Sequence, residues 1–161
     1  MRMREIKFRA KRPDNGEWVE SMSVAKIEML DGTTLYYIGA GQPADICLDK
    51  DGNLVAVETM GECLFYAIDP ETVGQFTGLT DKNGKKIFEG DIVNILGNQD
   101  VEDWKNVNYN ALIAFLDGGF CAIDGTIEEH GFRRYALERM DFDLEVIGNI
   151  HDNPELLEEK C

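Results

Sequence analysis

The chain has 161 residues, is 43 % hydrophobic and carries a formal charge of −15. That length supports a single domain (1–161) burying roughly 70 % of its unfolded surface, and a division into two lobes, about 1–70 and 71–161, stays open for a β-rich chain. No apolar run approaches the ~20 residues of a membrane span, the basic start lacks the apolar stretch of a signal peptide, and the charge repels nucleic acid at long range. A cytoplasmic protein is expected, with no membrane contact and no direct nucleic acid binding. The charge is uneven: residues 1–12 hold six basic side chains and one acid, and the remaining 149 positions balance at −20.

Glu5 to Ala10 alternates, with Ile6, Phe8 and Ala10 on one side and Lys7, Arg9 and Lys11 on the other, the pattern of a strand with one buried face. Pro13-Asp14-Asn15-Gly16 is a turn in which Pro presets φ and Asn-Gly supplies positive φ. Glu17 to Val24 returns as the partner strand, with Trp18 as a packing anchor. The basic stripe then pairs with Glu17 and Glu20 across the hairpin, each exposed pair contributing about 0.2–1 kcal/mol. That pairing accounts for the stripe better than a nucleic-acid patch does.

Val24 to Leu30 and Thr33 to Ile38 flank Asp31-Gly32, the next hairpin signal. Gly39-Ala40-Gly41-Gln42-Pro43 is Gly-rich, but no Gly-Lys-Ser/Thr follows it, so it does not match a phosphate-binding loop. Asp49-Lys50-Asp51-Gly52-Asn53 has the look of a calcium loop. Gly52 stands fourth rather than sixth, however, and Met60 takes the twelfth place, where an EF-hand has Glu. The acidic turn of a hairpin is expected there. Gly61 to Ile68 is a further apolar strand, ended by Asp69-Pro70-Glu71.

Thr72 to Ile95 reads TVGQFTGLTDKNGKKIFEGDIVNI. Asp81-Lys82-Asn83-Gly84 lies between apolar runs, and Asn-Gly predicts a type I′ turn, in which both central residues need φ > 0. Glu89-Gly90-Asp91 breaks the chain again before Ile92, Val93 and Ile95, which makes a β-meander. The order Thr-Gly-Leu, Asp-Lys-Asn-Gly, Glu-Gly-Asp-Ile-Val resembles the signature of the phage and prophage YopX-like family. MREIKFRA at Met3 to Ala10 and EVIGNIHDNPELLEE at Glu145 to Glu159 fit the same family in order, so the resemblance spans essentially the whole chain. It implies a phage or prophage origin and a shared fold, and carries no assigned chemistry.

Gly97 to Asn110 is polar, acidic and aperiodic, a loop or short helix in which Trp104 is expected to pack under the loop, with anchoring of a partner as the alternative. Ala111 to Leu116 and Phe120 to Ile123 flank Asp117-Gly118-Gly119, another hairpin. Phe142, Leu144 and Val146 alternate with Asp143 and Glu145 in a late strand expected to join the central meander in one sheet. Asn153 as N-cap and Pro154 at the first helical position begin a closing helix of about two turns, docked by Leu156 and Leu157. The sum is a mostly β fold of hairpins and meanders with a small bent barrel and a short C-terminal helix. An α+β arrangement is the alternative.

Catalytic machinery is sparse. His130 and His151 have no cysteine or carboxylate at metal-ligand spacing, and the serines, Ser21 and Ser23, sit in no nucleophile elbow. Cys47, Cys63, Cys121 and Cys161 form no C-x-x-C pair and read as small buried hydrophobes, with Cys161 exposed and free. No catalytic residue, cofactor or metal is assigned. The expected function is a non-enzymatic phage- or prophage-encoded accessory protein that binds a host or phage protein or forms a homo-oligomer. The alternatives are an acidic nucleic-acid mimic that inhibits a host DNA-binding protein, and an enzyme with an acidic site around Asp81, Glu89 and Asp91. Asp81, Asn83, Glu89 and Asp91 stand beside glycines and are expected to hold turns.

Overall fold

The structure, a computed structural model, describes residues 5–28, 30–39, 45–48, 50–51, 54–59, 61–97, 108–124, 133–137 and 143–157. Trp104, His130, Phe142 and Cys161 lie outside them, as do the side chains of Cys47 and Cys63 and most of the turn at 49–53. The chain divides into two compact units, Met1–Phe76 and Thr77–Cys161.

The first unit contains β1 (Phe8–Lys11), β2 (Trp18–Ser21), β3 (Val24–Glu28), β4 (Thr34–Ile38), β5 (Asp45–Leu48), β6 (Leu54–Thr59), β7 (Gly61–Ala67) and the start of β8 (Gly74–Thr80). β1 and β2 form the expected hairpin, and Gly74 and Gln75 of β8 pair with the other side of β1. Alternation turns Phe8, Ala10 and Val19 inward, where fully buried Ala10 packs with Ile38 and Ile68. Ile6, expected on that face, lies ahead of the strand and is 56 % exposed.

Trp18 corrects a second expectation. It is opposite Lys11, on the face that also carries Arg9 and Glu20. The Arg9 guanidinium and the Lys11 ammonium lie 4.8 Å and 5.9 Å from its ring centre. Val19 holds the core place beside Ala10, and Trp18 is a platform for two cations. Lys7, the remaining member of the basic stripe, pairs with Glu20 at 3.3 Å as expected, and Arg12 just past the stripe pairs with Glu17 at 3.8 Å. Arg12 also makes an ion pair with Asp14 and lies over the Tyr66 ring at 4.7 Å. The second sheet of this unit is antiparallel in the order β3-β4-β7-β6-β5. Tyr37 and Phe65 meet edge to face within it, with centroids 4.9 Å apart.

The second unit continues β8 and adds β9 (Lys86–Phe88), β10 (Asp91–Leu96), β11 (Asn108–Leu116), β12 (Gly119–Asp124), β13 (Arg133–Ala136) and β14 (Asp143–Asn149). Its main sheet runs β13-β12-β11-β10-β14, all antiparallel. Val93 and Ile95 lie opposite Val146 and Leu144, and these four join Ile87, Ala111, Ile113, Ala122 and Leu137 in one buried cluster. The late strand thus joins the central meander. Asp117 and Gly118, with φ of 50° and 83°, make the type I′ turn between paired Leu116 and Gly119. β11 starts at Asn108, inside the stretch expected as loop. The reason is a cross-strand amide cluster: Asn94 Nδ2 donates to Asn108 Oδ1 at 2.8 Å and to Asn110 Oδ1 at 3.0 Å.

Two further features differ from expectation. The closing helix is a 3₁₀ turn over Pro154–Leu157, held by the Leu156 N–H on the Asn153 carbonyl at 3.1 Å. No barrel closes among the described residues, because β13 and β14 end the sheet without a ladder between them. Some of the expected bend appears as an irregularity between Ile92 and Val93, opposite Gly148 and Val146. Described helical segments are 3₁₀ turns, Pro70–Thr72 and Pro154–Leu157 among them, so the fold is mostly β and not α+β.

Candidate functional site

The polar residues of the central motif are the natural candidates, and local chemistry places them. The Asp81 N–H donates to the Lys85 carbonyl at 2.8 Å, and the Gly84 N–H donates to the Asp81 carbonyl at 2.9 Å. Gly84 has φ +81°, whereas Asn83 does not take positive φ. The hairpin is therefore a type I turn followed by a left-handed glycine, not the expected type I′. Asp81 is the cause: its Oδ1 accepts from the Asn83 N–H at 2.8 Å and from the Lys85 N–H at 2.9 Å, which draws the backbone into the type I path.

The second oxygen of Asp81 reaches a distant strand. Asp81 Oδ2 accepts from the Val146 N–H at 3.1 Å, and the Lys82 N–H donates to the Leu144 carbonyl at 2.9 Å. Both contacts fall on β14, the last strand of the sheet. A carboxylate and an amide of the turn thus take the place of a further strand, satisfying edge groups that would otherwise be open. Lys82 Nζ adds an ion pair to Glu145 at 2.6 Å, and this bond holds the ammonium pKa above its ordinary value. Asp81 is 6 % exposed. Burial alone would raise its pKa, but N–H donors from Val146, Lys85 and Asn83 hold it below the usual carboxylate range.

Asp91 works in the next turn. Its Oδ2 accepts from the Phe88 N–H at 2.7 Å across Glu89-Gly90, and the side chain is 1 % exposed. Gly90, at φ +82°, donates its N–H to the Ile113 carbonyl at 2.8 Å and accepts from the Ile150 N–H at 2.9 Å. At the end of β14, Asn149 Oδ1 accepts from the N–H groups of His151 and Asp152. Gly148 lies beneath the closing turn, where an added Cβ would be 2.7 Å from Asn153 Oδ1 and 2.9 Å from Leu156 Cδ1. Asn110 Nδ2 fastens that turn by donating to the Leu156 carbonyl at 2.8 Å.

The three carboxylates proposed for an acidic site are therefore divided between two tasks. Asp81 closes the β14 edge, and Glu89 and Asp91 belong to the turn before β10. Asp81 and Asp91 are buried acceptors engaged with backbone N–H groups that position strands, whereas Glu89 is half-buried within its turn. Among the described residues, no group of three or more His, Cys, Asp or Glu is placed to hold a metal ion. Cys121 is buried and in no disulfide, and its Sγ donates to the Ala114 carbonyl.

One surface feature lies outside the residues singled out in the sequence. The core face of β11 continues past Ile113 to Phe115, which meets Phe120 edge to face at 5.1 Å yet remains 47 % exposed. Leu116, on the opposite face of the strand, is 36 % exposed. The signal was the apolar run Leu112 to Leu116, which is too continuous for a strand with one wet face. No described helix is long and apolar enough to cross a membrane.

The family model described as "YopX protein" matches residues 7–158. Among solved structures, the chain is similar to the crystal structure of protein EF1440 from Enterococcus faecalis, with 27 % identity over 96 % of this chain and 99 % of that one and a TM-score of 0.46. No curated protein matches the chain.

Proposed function

The chain belongs to the YopX family, and from that premise we propose that it is a non-enzymatic phage or prophage accessory protein that binds a protein partner, or itself, in the host cytoplasm. The observation that supports this is the open end of the β11–β12 hairpin, where Phe115 and Leu116 face solvent beside Phe120. Aromatic side chains that keep a large exposed area are the residues around which protein contacts form. The engagement of Asp81 and Asp91 with backbone N–H groups favours a scaffold over a reaction site.

Mimicry of nucleic acid draws on the balance of −20 carried by the 149 positions after residue 12. Described carboxylates such as Asp31, which accepts from the Thr33 N–H, and Asp81 serve turns. Phe115→Ser tests the proposal, by sedimentation of the pure chain and by affinity capture from phage-infected cells. The substitution should weaken the association at least about tenfold, about 1.4 kcal/mol, while the melting transition stays cooperative. An association that Phe115→Ser leaves unchanged, or the lack of any association in the unsubstituted chain, would overturn it.

A further inference from the structure

β11 outruns its neighbour. On the β10 side its pairing ends at Leu112, opposite Ile92, and at the Ile113 carbonyl, which accepts the Gly90 N–H at 2.8 Å. There the Glu89-Gly90 turn leads the chain away, while β11 continues to Leu116. Backbone groups alternate in direction along an antiparallel ladder. The two-residue turn at Asp117 and Gly118 makes Leu116 and Gly119 a hydrogen-bonded pair. The Phe115 N–H and C=O therefore point the other way, to the side on which the Ile113 carbonyl meets Gly90. Among the described residues no strand is laddered to Phe115 on that side.

We propose, on the reading of the β11–β12 tip as a protein-binding surface, that this overhang is a strand-addition site for an extended, basic segment of a partner protein. Strand addition draws affinity from main-chain bonds and selectivity from alternate side chains. The Phe115 backbone supplies a donor and an acceptor, and the Phe115 ring, 47 % exposed, and Leu116, 36 % exposed, offer apolar contacts on opposite faces. Charge selects the occupant. Between Lys105 and Arg133 the sequence holds Asp117, Asp124, Glu128 and Glu129 and no Lys or Arg. Glu89 adds a carboxylate in the turn where the ladder to β10 stops. Lys or Arg side chains of an added strand meet complementary charge here, whereas a second copy of this chain, at −15, meets repulsion.

A short blocked peptide of alternating Lys and Val is the probe, and hydrogen exchange along β11 in the full chain reads its binding. In the chain alone the Phe115 amide should exchange freely, while the Leu116 amide, bonded to Gly119, is protected. Saturating peptide should slow exchange at Phe115 at least about tenfold, and added salt should weaken the binding. The same peptide N-methylated at every residue keeps its charges and side chains without its N–H donors. It should leave Phe115 exchange unchanged, as should a peptide with Glu in place of Lys. A Phe115 amide already protected before peptide is added would overturn the proposal. So would equal slowing by the N-methylated or the Glu peptide, or a Lys peptide that slows no β11 amide. Protection that grows with the concentration of the chain alone would assign the edge to a second copy, and would overturn it too. In each of these cases a Phe115→Ser chain that still loses its association leaves the protein-binding reading standing, so the two claims fail separately.

Discussion

Asp81 brings together three backbone N–H groups with one carboxylate: those of Asn83 and Lys85 in its own turn, and that of Val146 on β14. Removing an acceptor from buried donors costs about 1–3 kcal/mol for each one left unsatisfied. Asp81→Ala should therefore lower the unfolding free energy by about 2–4 kcal/mol in urea melts, and Asp81→Asn by less, since one amide oxygen can still accept. The pH dependence has a definite sign. The folded pKa of Asp81 is depressed by those N–H donors against an opposing burial effect. Its contribution is thus present above the unfolded value of ~3.9 and is lost as pH falls through the lower folded value. Urea melts between about pH 5 and pH 2 should show a fall in stability that is shallower in Asp81→Asn. Sequence read Asp81 and Asp91 as holders of turns, and both carboxylates bind backbone N–H groups there. It did not reveal Val146, 65 positions away, because a backbone N–H is the same in every non-proline residue. The same bonds explain the turn type, since Asn-Gly alone favours I′ and the Asp81 carboxylate overrides it.

Two glycines separate backbone strain from packing at the scale of single elements. Gly84 has φ +81° with nothing within 4 Å of an added Cβ, whereas a Cβ on Gly148 would press on Asn153 and Leu156 at 2.7 Å and 2.9 Å. Gly84→Val should cost more than the ~1 kcal/mol typical of a surface change, through φ alone. Gly148→Ala should cost about 1–3 kcal/mol as an overpacked contact, and should loosen the bond from Asn110 to the Leu156 carbonyl. Thermal melts give the magnitudes. Amide exchange at Leu156 should rise in Gly148→Ala and stay unchanged in Gly84→Val. Strand positions were legible where apolar alternation was clean, as in β14, or where a turn signal separated two apolar runs, as in β11–β12. Asn108 to Asn110 were not legible as strand because their pairing rests on amide bonds to Asn94, which hydrophobic periodicity does not register. The closing helix was overestimated because capping signals mark where a helix starts and not how far it runs.

For the whole molecule, composition and turn density carried the fold class, and the family match over residues 7–158 agrees with the resemblance seen in three separated stretches. The expected barrel failed for a physical reason. Closure requires the last strand to bond the first, and among the described residues the Val146 N–H and the Leu144 carbonyl of β14 are already met by Asp81 and Lys82. Turn signals count hairpins without saying which edge a turn will cover. Charge and burial together separate the roles within the chain: the motif residues Asp81 and Asp91 are buried, whereas Phe115 and Leu116 keep large exposed areas.

The central claim is that the acidic motif is a structural device, with Asp81 acting as the missing neighbour of β14. Hydrogen exchange at the Val146 amide tests it most directly, with the amides of the β10–β11 ladder as internal reference. The account predicts that the Val146 N–H is protected in the unsubstituted chain and loses protection selectively in Asp81→Asn, before the reference amides change. Val146 exchange that is unaltered by Asp81→Asn would contradict it.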